Sequence, residues 1–216
     1  MGVHQSSRIL DFDGALALVR RWPSHAARRW TRDFLAQFCD DPRVLAVVVY
    51  GSAVRNVSDS ADVDLLFIYE DTFPDVSAPP FDVDVRGYDK ASVETQLCSG
   101  HDLLGWAVRH GLVLCERAGY WTDLVSRWQE HLPLPDPQIS EDRASKAQRL
   151  RVDLLRMGDL PAANEQYLAY LTHTARATLL RRGIFPGSRP ELPEQLRELG
   201  ELRLADELVA VMVGRE

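Results

Sequence analysis

Tyr50-Gly51-Ser52-Ala53-Val54-Arg55 is followed, after a short polar loop, by Asp62-Val63-Asp64-Leu65-Leu66-Phe67-Ile68. The first stretch closes an apolar run, Val44-Leu45-Ala46-Val47-Val48-Val49-Tyr50, which reads as a buried strand ended by a Gly-Ser turn. The second stretch sets two acids on alternate positions of another apolar run, a strand from Asp62 to Tyr69. Residues i and i+2 of a strand share a face, so Asp62 and Asp64 project together while Val63 and Leu65 face the other way. Two carboxylates side by side repel each other, and a divalent cation is the simplest compensation. Oxygen-rich sites of this kind suit Mg²⁺, which keeps several waters and takes one or two carboxylates plus substrate phosphates.

Working outward, Phe81-Asp82-Val83-Asp84-Val85 alternates apolar and acidic residues and reads as a third strand, with Asp82 and Asp84 on one face. If the second and third strands are neighbours, acids from both meet at one place on the sheet. Three acids on two adjacent strands are what two-metal phosphoryl chemistry requires. Gly51 lacks a Cβ and permits close backbone approach to a phosphate. Ser52 adds a hydroxyl and a backbone N–H at the start of a helical turn, a natural phosphate-binding position.

Gly-Ser, an Arg shortly after, Asp-x-Asp in an apolar strand and a further acid on the next strand together resemble the nucleotidyltransferase superfamily of DNA polymerase β. More narrowly, the pattern resembles the minimal nucleotidyltransferases and the antibiotic adenylyltransferases of the kanamycin and streptomycin type. The resemblance covers roughly residues 44–115. It implies that Gly51 and Ser52, with Arg55 nearby, bind phosphate and that Asp62 and Asp64 bind metal. It also implies a third acid, for which Asp84 is favoured over Asp82 because Tyr88-Asp89-Lys90 opens the helix that follows this strand in the family. Two departures concern the loop: Ala61 stands where a Ser is usual, with Ser58-Asp59-Ser60 before it, and Asn56 stands where a Gly often follows the Arg. Neither removes an acid of the set.

The rest of the chain divides into an alternating α/β part and a helical part. Ile9, Phe12, Leu16 and Val19 form an amphipathic stretch cut by Pro23. Ser24 is placed to cap a helix through Phe38. Helices are also expected from Asp89 to about Leu97, over 101–110 with Gly111 at its end, and over 119–131, with a short strand at Leu112-Val113-Leu114-Cys115. Pro133, Pro135 and Pro137 mark a boundary, giving a nucleotidyltransferase-like domain over 1–135 and a helical domain over 136–216. The second has helical patterns at 141–157, 161–182 and about 191–213. The expected fold is thus α/β (α+β): a small mixed sheet with flanking helices, plus a C-terminal helical bundle.

Of 216 residues, 45% are hydrophobic and 26% charged, which is ordinary for a globular chain. No apolar run approaches the roughly 20 residues needed to cross a bilayer, so no membrane partner is expected. Asp11 and Asp13 interrupt the apolar N-terminal stretch, and no secretory signal is evident. Cys39, Cys98 and Cys115 are widely spaced and fit no metal pattern. They read as buried, reduced thiols of a cytoplasmic protein. The net charge of −7 argues against a broad nucleic-acid surface. Trp22, Trp30, Trp106, Trp121 and Trp128 are read as packing residues, and His4, His25, His101, His110 and His131 form no metal-spaced pair.

In the helical half, Arg143, Lys146 and Arg149 recur at near-helical spacing. They form either a solvated face or, for Lys146 and Arg149, contacts to a triphosphate. The resemblance to antibiotic adenylyltransferases makes Glu165 the candidate general base for an acceptor hydroxyl; otherwise it is a surface acid. Tyr167, Tyr170 and His173 follow at intervals of three, as pocket lining or as packing with polar tips. The function the resemblance implies is Mg²⁺-dependent transfer of a nucleoside monophosphate, AMP from ATP, to a hydroxyl of a small molecule or protein, with release of pyrophosphate. The alternatives are a non-catalytic nucleotide-sensing module of the same fold and an enzyme acting on RNA ends. Whether the chain forms a homodimer is left open.

Overall fold

A computed structural model describes residues 12–55 and 62–214. The stretch around Ile9, and the loop holding Asn56, Asp59 and Ala61, therefore lie outside the described residues. The chain divides into two compact units, Met1–Pro133 and Leu134–Glu216.

The first unit is built on β1 (Val44–Tyr50), β2 (Val63–Tyr69), β3 (Val83–Asp89) and β4 (Leu112–Glu116), in the order β3-β2-β1-β4. β1 runs antiparallel to β2 and to β4, and β2 runs parallel to β3, so the sheet is mixed. Every residue of β1 is buried, as expected for a central strand covered on both faces. Around the sheet lie α1 (Phe12–Leu16), α2 (His25–Phe38), α3 (Lys90–Cys98), α4 (Asp102–His110) and α5 (Tyr120–Trp128). Phe34 and Phe38 of α2 bring their rings against Phe67 of β2. Leu35, Leu66, Leu97, Leu104, Leu114 and Leu124 fill the remaining core.

Local chemistry sets the helix starts. Ser24 Oγ accepts from the Ala27 N–H at 3.0 Å, and Asp89 Oδ1 accepts from the Ala91 N–H at 2.8 Å, so both expected caps are present. β3 lies further along the chain than the alternation at 81–85 indicates. Phe81 is fully exposed and Asp82 sits in the turn before the strand. Pairing with β2, rather than the local pattern, decides where this strand begins.

The cysteine reading requires correction. Cys39, at the end of α2, and Cys115, in β4, are joined by a disulfide across 76 residues of sequence, with Cα atoms 6.0 Å apart. Cys98 is free and exposed rather than buried. Spacing in the chain carries no signal for a bridge between elements that meet only in the fold. The bridge also removes the cysteine argument for a reducing compartment. No helix among the described residues is long and apolar enough to cross a membrane.

The second unit contains α6 (Pro137–Met157), α7 (Leu160–Arg181), α8 (Leu192–Glu198) and α9 (Leu202–Val213). α6 starts earlier than the pattern at 141 indicates. Asp136 caps it through the Gln138 N–H, and Pro137 takes the first turn, where a missing N–H costs nothing. Leu168, Leu171, Ala175, Leu179, Leu192, Leu196, Ala205 and Leu208 form its core.

Candidate functional site

β1 ends at Tyr50, and the chain turns at Gly51 with φ +76° and ψ −161°, a conformation essentially reserved for glycine. The turn passes against β2. A Cβ at position 51 would lie 1.9 Å from Asp64 Oδ2, so only glycine leaves room for that carboxylate. Ser52–Val54 then form one 3₁₀ turn, closed by the Arg55 N–H donating to the Ser52 carbonyl at 3.1 Å. Arg55 reaches toward the end of α4, its Nη1 3.4 Å from His110 Nδ1.

Asp64 lies opposite Tyr50 in β1 and opposite Asp84 in β3. The parallel β2–β3 register therefore brings Asp84 beside Asp64. Asp62 precedes β2 and is exposed. Asp82 belongs to a different environment: it is buried, its carbonyl accepts from the Val63 N–H at 2.9 Å, and its Oδ1 has no hydrogen-bond partner.

Electrostatics distinguish the acids. Burial, with the charges of Asp62 and Asp84 added, pushes the Asp64 carboxyl up to about 7, and Arg86 opposes this. Burial above all, and then the charges of Asp64 and Asp84, drive the Tyr50 hydroxyl far above its ordinary range. Tyr88 is raised chiefly by burial; Asp84 adds to the rise while Arg86 works against it.

Arg86 was not foreseen. Its Nε and Nη2 donate to Asp84 Oδ2 at 3.0 and 2.9 Å. The available signal was Asp84-x-Arg86 in one strand, since i and i+2 share a face. Carboxylate oxygens are the donors that Mg²⁺ prefers, so the residue types fit such a cation. Among the described residues, however, no three His, Cys, Asp or Glu side chains converge as a group able to hold a metal ion. Asp84 is instead engaged by Arg86.

The remaining candidates lie in the second unit. Lys146 and Arg149 are exposed on α6, and Glu165 is exposed on α7. Tyr167 and Tyr170 pack against the helical core with their rings stacked, 6.2 Å between centroids. The Tyr167 hydroxyl donates to Glu207, and the Arg151 guanidinium lies 3.6 Å from the Tyr167 ring centroid. These contacts match packing with polar tips at the rim.

No protein-family model matches the chain. No curated protein matches it either. Among solved structures, the chain is similar to a nucleotidyltransferase-like protein from Exiguobacterium sibiricum 255-15, at 18% identity and a TM-score of 0.39, over 86% of this chain and 72% of that one. So distant a likeness carries no argument, and the residues above carry the functional reading.

Proposed function

We propose that this chain is a nucleotidyltransferase that moves a nucleoside monophosphate, AMP from ATP, to an acceptor hydroxyl and releases pyrophosphate. The observation that carries this reading is the placement of Asp84 beside Asp64 by the β2–β3 register, next to a Gly51 turn that tolerates no side chain. Asp62, Asp64 and Asp84 would hold Mg²⁺, in a two-metal set by the resemblance. When bound, the cation would neutralise phosphate charge and favour the acceptor's alkoxide. By the resemblance, Gly51 and Ser52 would take a phosphate, Ser52 through its N–H and hydroxyl. Arg55 adds positive charge after the turn. Lys146 and Arg149 are the candidate cations of the helical unit, and Glu165 its candidate base for the acceptor, a small molecule or a protein hydroxyl.

The test is pyrophosphate release from ATP with Mg²⁺, with and without acceptors. Asp62→Ala/Asp64→Ala should lose turnover, and turnover at the wild-type rate would remove the proposal. The engagement of Asp84 by Arg86 favours one second reading, a nucleotide-sensing module. That reading requires ATP binding without pyrophosphate release under any acceptor condition. The acidic net charge of −7 weighs against an RNA-end substrate.

A further inference from the structure

We infer that Arg86 is a built-in counter-ion that competes with a divalent cation for Asp84, and so sets how tightly the acidic corner takes up metal. The inference rests on the reading of Asp62, Asp64 and Asp84 as a cation site, and the variants below separate the two.

Both guanidinium contacts go to one oxygen, Asp84 Oδ2, at 3.0 and 2.9 Å. Arg86 stands two residues beyond Asp84 on β3, on the same face, so no movement of the backbone is needed to make or break the pair. In register, Asp84 lies opposite Asp64 and Arg86 opposite Leu66, and the Arg86 charge acts on Asp64 as well as on its partner Asp84. The side chains of Arg86 and Asp84 are 56% and 43% exposed. A deeply buried pair would be locked by the penalty of stranding one charge. A half-exposed pair is weak enough to exchange with a metal and its waters. The Arg86 head group can turn to solvent on release, because its contacts are made from an exposed side chain.

Among the described residues no three acids converge as a group able to hold a metal ion, and Arg86 takes up one of the candidate acids, Asp84. It withdraws an Asp84 oxygen from metal. Metal must then displace the guanidinium before all three acids act together.

Mn²⁺ binding to the full chain, followed by the loss of the free-ion electron paramagnetic resonance signal, tests this without any turnover. Arg86→Gln should bind Mn²⁺ more tightly than wild type, by about three- to fivefold given the strength of exposed ion pairs. Arg86→Lys keeps the charge but loses the planar fork, so it should tighten binding by a smaller factor in the same direction. Asp64→Asn should weaken Mn²⁺ binding strongly. Circular dichroism establishes that each variant is folded; should Arg86→Gln not fold, Arg86→Lys decides. Unchanged or weaker Mn²⁺ affinity in the deciding variant overturns the role of Arg86, while the cation site stands if Asp64→Asn is impaired. Wild-type affinity in Asp64→Asn, or no Mn²⁺ affinity in the wild type, overturns the cation site and the inference together.

Discussion

One absent methyl group controls the corner of the sheet. At Gly51 the backbone has φ +76°, and a Cβ would meet Asp64 Oδ2 at 1.9 Å. Gly51→Ala therefore meets two penalties, about 1–3 kcal/mol of backbone strain and a clash that moves Asp64. A lower melting temperature, together with weakened ATP binding by calorimetry, is the expected result. Asp64 gives a pH prediction. Its folded value, about 7, is raised above the ordinary 3.8, so the protein is stabilised by its protonated form. That stability is complete below the ordinary value and is lost as pH rises through about 7. Asp64→Asn should stabilise the metal-free protein above pH 7, by at most about 4 kcal/mol for a shift of that size. The gain should shrink toward zero near pH 4. Urea melts across that range measure it, and a pH-independent difference would count against an isolated Asp64 charge.

At the scale of elements, the disulfide ties the end of α2 to β4. Opening it should destabilise the first unit by about 2–4 kcal/mol. Melting curves with and without reductant read the effect, and a thiol count of three in the unfolded, unreduced protein would show that the bridge is absent. Much of this level was legible in the sequence. The apolar run at Val44–Tyr50, the run that carries Asp64 and the Ser24 and Asp89 caps are local signals, and local hydrogen bonds and periodicity set those elements; Asp62, expected on the same strand as Asp64, lies just before it. The rest depended on partners distant in the chain. β3 begins at Val83 because β2 pairs with it there, which takes Asp82 out of the strand and buries it. Arg86 could be seen as a neighbour of Asp84, but its bond to that acid depends on how both side chains lie on the sheet. Cys39 and Cys115 meet only after α2 has packed. The Pro-rich stretch reads as a domain boundary, and the helical pattern after it from 141, but α6 begins at Pro137 because Asp136 caps it there.

At the scale of the whole molecule, the two units hold separate cores. Leu179 is fully buried in the helical one. Leu179→Ala should cost about 2–5 kcal/mol, chiefly within α7, α8 and α9. Hydrogen exchange should accelerate across those helices while the amides of β1 and β2 keep their protection. The spacing of the strands along the chain has a kinetic meaning as well. β2 meets β1 and β3 across connections of similar length, residues 51–62 and 70–82, whereas β1 must wait for β4 at Leu112–Glu116. Pairings that close longer loops form later along a folding route. Asp64 and Asp84 therefore come into register before the far edge of the sheet closes, and a chain whose β4 has not yet docked already carries the two acids side by side.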